Sequence, residues 1–180
     1  AGVPAGVFLS SLGAVAREDA ERFSRLAEKA QDSDLVDALK IVEPRLTRLQ
    51  VLVAAGVPTI YGDLGVGRLL PVPLMGQGTA RLLSLVLAVL ATPGGVVLVD
   101  EVGSGVHHSA MEDLWRVLEH AARAAKVQVI ATTHSWECLT AAQRALSGLE
   151  EGEFALHRIE RGPQGLRAVT YDRESLDGAV

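Results

Sequence analysis

Two short runs of this chain are apolar at nearly every position instead of at alternate ones. Gly95-Val96-Val97-Leu98-Val99 ends in Asp100-Glu101, and Val127-Gln128-Val129-Ile130-Ala131 ends in Thr132-Thr133-His134-Ser135. β-Branched runs of this kind predict strands in the middle of a parallel sheet, where both faces are covered. Between them Leu114, Leu118, Ala121 and Ala125 recur at helical spacing. Ser109, with Glu112 three residues later, predicts a capping box opening that helix. Strand, helix and strand form a βαβ unit with a right-handed crossover. Both polar tips then reach one edge of the sheet, the side on which open α/β folds bind ligands.

The same reading extends in both directions. Val7–Ser11 reads as a short strand. Arg17–Gln31 reads as an amphipathic helix with Phe23, Leu26, Ala27 and Ala30 on one face. Asp34–Val42 is a second helix, with Leu35, Val36, Leu39 and Val42 inward, stopping before Pro44. Leu49–Val53, Thr59–Tyr61 and Arg68–Val72 predict strands, with a turn at Asp63–Gly67. Pro73–Thr79 leads into an apolar helix, Ala80–Ala91, which Thr92-Pro93-Gly94 breaks. Trp136–Leu146 follows as a helix. Phe154–Glu160 and Leu166–Tyr171 flank Arg161-Gly162-Pro163-Gln164-Gly165, a β-hairpin signal. With no internal repeat or long linker, residues 1–180 read as one domain. Its parts are 1–72, a core at 73–147, and a hairpin and tail at 148–180.

Composition narrows the class. A length of 180 residues suits one domain, and 48% apolar residues supply a core. A net charge of −5 without a basic block gives no general field for nucleic acid. A local nucleic-acid patch or a defence-system partner stays open. The single Cys138 cannot form an internal disulfide, which fits a reducing cytoplasm, and it reads as a small, partly buried helix residue. Leu82–Ala91 lacks charge but is too short to span a bilayer, and Ala1–Ser10 has no basic leader pattern. The expectation is a cytoplasmic protein without a membrane partner.

The polar tips carry the candidate chemistry. Asp100, at the end of a buried strand, can hold Mg²⁺. Glu101 beside it can take a base role. The plainer alternative is a strand that ends in two acids. His134 can contact a terminal phosphate, while Ser135 either hydrogen-bonds a water or caps the next helix. Gly76, Gln77, Gly78 and Thr79 precede the apolar helix, and exposed N–H groups at a helix start attract anions. The alternative there is a flexible turn capped by Thr79. His107 and His108 are adjacent and lack His-x-x-x-His spacing, which favours an interface loop over a transition-metal site.

Four blocks then carry a resemblance: Met75–Leu83, Gly95–Glu101, Gly103–His108 and Gln128–Leu139. They resemble the C-terminal half of ABC-type AAA-family ATPases, related to the ATPase part of overcoming-lysogenization-defect nucleases. The likeness to structural-maintenance-of-chromosomes ATPases is more distant. Leu35–Val42 and Pro58–Val72 are similar to the region before the signature in the same family.

The resemblance implies an α/β fold, a three-layer P-loop NTPase-like (ABC-ATPase-type) parallel sheet. This chain would be its C-terminal portion, lacking the Walker A half and ending in a β-hairpin. It implies ATP and Mg²⁺ as ligands, Asp100 as the Walker B metal acid, Glu101 as the catalytic carboxylate and His134 as the switch histidine. Gly76–Thr79 matches a degenerate signature without the usual Ser, which acts on nucleotide held by the opposite subunit. Gly103–His107 matches the D-loop at the interface of a homodimer.

No Gly-x-x-x-x-Gly-Lys-Ser/Thr occurs in the chain, and the Walker A and Q-loop half is not recognised. The chain alone is therefore expected to be inactive, with the Walker A half on the same parent chain or a separate one. No Toprim nuclease domain fits after Leu146. Two rival readings are a non-catalytic module that pairs with a P-loop-bearing chain, and a metal-dependent hydrolase built on Asp100, Glu101 and the histidines.

Overall fold

The computed structural model describes residues 5–11, 16–150, 152–162 and 165–171. In chain order the elements are β1 (Gly6–Leu9), α1 (Ala16–Ala27), α2 (Asp32–Leu39), β2 (Arg48–Ala54), β3 (Val57–Asp63), β4 (Leu69–Pro71) and α3 (Gln77–Leu90). Then follow β5 (Val96–Val99), α4 (Met111–Ala125), β6 (Gln128–Ala131), α5 (Trp136–Leu146), β7 (Leu156–Gly162) and β8 (Gly165–Tyr171). Single 3₁₀ turns at Val72–Leu74 and His108–Ala110 precede α3 and α4.

Both β-branched runs form parallel strands, but only β5 is a middle strand: β6 lies at an edge of the three, and the expectation of two covered faces fails because one face stays open among the described residues. β5 lies between β1 and β6, parallel to both. Side chains alternate across a pleated strand. Leu9, Val97 and Val99 therefore share one face and are buried in the main apolar cluster. The other face carries Phe8, Leu98 and Ile130, which register directly across the three strands. These three remain 64%, 42% and 51% exposed, so one face of the sheet presents an uncovered apolar row among the described residues. β2, β3 and β4 form a separate antiparallel sheet against α1 and α2, and β7 and β8 form the C-terminal hairpin.

α3 is central, touching α1, α2, α4 and β1. That explains its sequence: every residue from Leu82 to Val89 is buried, so the helix has no solvent face to make polar. Thr92 ends it by bonding its hydroxyl to the Ala88 carbonyl at 2.8 Å, and Gly94 takes a φ of +71° to turn the chain into β5.

Several boundaries differ from the periodicity. α3 begins at Gln77 and not Ala80, because Gly76 takes a φ of +131° as its N-cap and the three residues after it are already helical. The capping box at Ser109 does not form. A 3₁₀ turn intervenes, the Ser109 N–H donates to His107 Nδ1, α4 starts at Met111, and Glu112 pairs with Arg116. β7 is displaced by two residues from Phe154–Glu160, and its turn at 163–164 lies outside the described residues. α1 ends at Ala27, so Ala27 and Ala30 are exposed instead of inward.

The buried face of α1 instead includes polar residues. Asp19 and Arg22 are 4% and 8% exposed, and Asp19 accepts from Arg22 at 3.0 Å and from Ser84 of α3. Burial raises the Asp19 carboxyl above its ordinary value, against the opposing pull of Ser84 and Arg22. An acid with a raised folded-state pKa stabilises fully below its unfolded pKa and loses that contribution as pH rises through the folded value. The difference in stability between the native chain and Asp19→Asn should therefore shift against the native chain as pH rises through that window. Asp19→Ala leaves Arg22 with Glu18 and Ser84 with the Ala80 carbonyl, so it removes one buried partner from each and is expected to cost about 1 kcal/mol. Urea unfolding across pH checks both, and a flat difference between the native chain and Asp19→Asn would refute the assignment.

Candidate functional site

Each tip of the parallel sheet ends where its apolar run gives way to polar residues, so three strand ends meet at one edge. Asp100 follows β5. Its carboxylate accepts from the Ser11 hydroxyl after β1 at 2.7 Å and from the Thr132 hydroxyl after β6 at 3.0 Å. These two donors hold the Asp100 carboxyl below its ordinary value, Ser11 most strongly and then Thr132. Asp100 is thus anionic and fixed from both sides.

Glu101 takes a φ of +49°, in the left-handed region that a residue with a Cβ seldom adopts. Its N–H donates to Thr132 Oγ1 at 3.0 Å. Its carboxylate lies 3.3 Å from His134 Nε2. The His134 ring is open to solvent, with 94% of its side chain exposed. Ser135 is the N-cap of α5. Its hydroxyl accepts from the Cys138 N–H at 3.1 Å and donates to Glu137 at 2.8 Å. The capping role is the one its geometry performs.

Gly76 and Gln77 are exposed, Gly78 is half-buried and Thr79 is buried at 6%. Gln77, Gly78 and Thr79 form the first turn of α3, which no side chain caps. This turn rests on the Gly103–His107 loop of the same chain. A Cβ on Gly78 would lie 3.5 Å from the Gly105 carbonyl oxygen, and one on Gly105, at φ +75°, would press on Gln77 at 3.2 Å. His107 and His108 are exposed, with ring centroids 4.1 Å apart. Among the described residues no group of three or more His, Cys, Asp or Glu could hold a metal ion. Cys138 is fully buried and burial pushes its thiol up, so it is no nucleophile.

The sequence pattern missed three residues at the site: Ser11, Thr132 and Arg81. Ser11 ends an apolar run just as Asp100 and His134 do, and that shared grammar was the available signal. Arg81, 8% exposed on α3, reaches the backbone beneath the acids. Burial pushes its guanidinium below the usual value, partly offset by the charge of Asp100.

The parallel β1-β5-β6 core within a mixed α/β chain fits a P-loop NTPase-like fold. The chain belongs to the family described as "AAA domain, putative AbiEii toxin, Type IV TA system", whose profile matches residues 6–139. This membership carries a nucleotide-binding, ATPase-type function. Solved structures agree on the fold. One comes from work on ATP-driven dimerization and DNA-stimulated activation of SMC ATPases, with 11% identity, 88% of this chain and 94% of that chain covered, and a TM-score of 0.58. A second is the Pyrococcus furiosus Smc head domain with an extended coiled coil, bound to the C-terminal domain of ScpA, with 12% identity, 91% and 40% coverage and a TM-score of 0.57. The SMC head domain from Thermotoga maritima gives 15% identity, 91% and 53% coverage and a TM-score of 0.53. This chain thus spans about half or less of the last two. Comparison with curated proteins finds no match. No helix among the described residues is long and apolar enough to cross a membrane.

Proposed function

We propose that this chain is the Walker B and signature half of an ABC-type ATPase, completed by a phosphate-loop half and by a second copy of itself. One observation carries the reading. An anionic Asp100, held by Ser11 and Thr132, stands beside a Glu101–His134 pair on adjacent parallel strand tips.

Mg²⁺ fits this acid, because a hard cation prefers carboxylate oxygen and is commonly bound by one or two carboxylates together with substrate phosphates. When bound, it supplies neutralising charge to the β- and γ-phosphates. Asp100 holds it. Glu101 orients the attacking water and accepts its proton. His134 contacts the γ-phosphate from its exposed position, and Ser135 fixes the start of α5 directly after it. The helix start at Gly76, Gln77, Gly78 and Thr79 closes the site of the opposite copy, with Gly103–His107 lying across the dimer interface.

The main triphosphate binding energy comes from the phosphate loop, on the same parent chain or a separate one. The bare Phe8-Leu98-Ile130 face supports a half-domain of this kind, since apolar rows on parallel sheets are normally covered.

Titration with Mg-ATP tests the reading. The chain alone is expected to bind without micromolar affinity and to show no turnover, and both should appear when the phosphate-loop half is joined. Micromolar binding by the chain alone, with turnover lost in Glu101→Gln, would overturn it. An assembled protein that binds ATP but never hydrolyses it would instead be the non-catalytic interaction module.

A further inference from the structure

The least expected buried group in the molecule is a guanidinium beneath the two acids. Arg81 Nη1 donates to the Ser10 carbonyl at 3.0 Å. Its Nη2 donates to the Asp100 carbonyl at 2.6 Å and to the Glu101 carbonyl at 3.1 Å. Its Nε is buried without a hydrogen-bond partner among the described residues. A side chain that merely filled space here would be apolar, because burying a charge is costly unless something requires it.

The geometry supplies the requirement. The Glu101 backbone sits at a φ of +49°, a conformation that persists only where its surroundings over-determine it. Thr132 fixes the N–H side of that residue. Arg81 fixes the carbonyl side of both Asp100 and Glu101. A planar fork with several fixed donors can serve three carbonyls at once, which a lysine cannot match.

We propose that Arg81 is a positioning residue that holds Glu101 in its left-handed conformation and thereby aims the Glu101 carboxylate at His134. It rests on the reading of Glu101 as the water-orienting carboxylate, and it extends that reading to a helix. Arg81 lies three residues after Gly78 on α3, so the helix start that would meet nucleotide on the opposite copy is tied to the turn that would hydrolyse nucleotide on its own. The hydrogen bonds of Arg81 go to backbone carbonyls, and it stands outside the reacting atoms.

Two measurements test it. In the ATPase assembled with its phosphate-loop half, Arg81→Met is expected to lower kcat per nucleotide-binding site by about 10- to 100-fold, the scale of loss from a small misplacement of a catalytic group. KM for ATP should stay within about threefold, since most triphosphate binding energy sits in the phosphate loop. Arg81→Lys should recover part of the rate. In the chain itself, the HN–Hα coupling and the Cα and Cβ shifts of Glu101 should report a left-handed residue in the native sequence and move toward right-handed values in Arg81→Met. If Arg81→Met does not fold, Arg81→Gln and Arg81→Lys carry the same comparison.

A purely structural role would reduce the folded fraction while leaving kcat per site and the Glu101 couplings unchanged, and that result overturns the proposal. Full activity of Glu101→Gln in the same preparation would instead sink the catalytic reading of Glu101. The Glu101 couplings would still decide whether Arg81 sets its backbone.

Discussion

Glu101→Gln is expected to keep ATP and Mg²⁺ binding in the assembled ATPase while lowering hydrolysis by about 10²–10⁴-fold, the usual contribution of one positioned base. The substitution keeps the length and shape of the side chain and removes its capacity to accept a proton. Asp100, with its donors Ser11 and Thr132, is untouched. The Glu101 N–H still bonds Thr132, so the turn has no reason to move. Single-turnover hydrolysis beside equilibrium nucleotide binding separates the two effects. A rate within a few-fold of the parent would move the catalytic role to another group, with Asp100 and His134 next in line.

The second large effect concerns the start of α3. Gly78→Asp is expected to reduce hydrolysis on the order of 10² or more, comparable to losing an anion-stabilising donor. It should not unfold the chain. A Cβ at Gly78 meets its nearest neighbour at 3.5 Å, ordinary van der Waals distance, and an acid in the first turn of a helix is favourable. The new charge acts where phosphate must approach. Gly78→Ala, with the same steric demand at Cβ and no charge, should be far milder.

The in-trans reading makes this sharper. Mixed Gly78→Asp and Glu101→Gln subunits, each inactive alone, should regain part of the activity, because an isologous dimer keeps one composite site intact. If heterodimers form and mixing restores nothing, either the assignment fails or the two sites cannot fire independently. Single-site nucleotide trapping in that heterodimer distinguishes these outcomes.

Much of this architecture is legible residue by residue. The strands at 96–99 and 128–131 were readable because β-branched runs of that length leave few alternatives, and α3 was readable because a helix buried on all sides must be apolar on all sides. Boundaries were less legible, since helix starts depend on competition among local turns. At Ser109 a 3₁₀ turn held by His107 won over the capping box. At α1 the inward face expected at Phe23, Leu26, Ala27 and Ala30 holds for Phe23 and Leu26 and fails for Ala27 and Ala30, while Asp19 and Arg22 turn in. Their mutual ion pair and Ser84 make that burial tolerable, and no helical periodicity encodes a partner on another helix.

The sequence by itself determined which segments are strand and which are helix, and that Asp100, Glu101, His134 and Ser135 stand at strand ends. Those facts follow from short-range propensity and from the position of polar residues after apolar runs. Only the tertiary structure decided that Ser11, 89 residues away, clamps Asp100, that Thr132 bridges both acids, and that Arg81 reaches across from α3 to hold the turn. It also decided that Phe8, Leu98 and Ile130 form one exposed row. Parallel strands pair only through long crossovers, so register between distant segments is fixed by packing of the whole core and leaves no local mark in the chain.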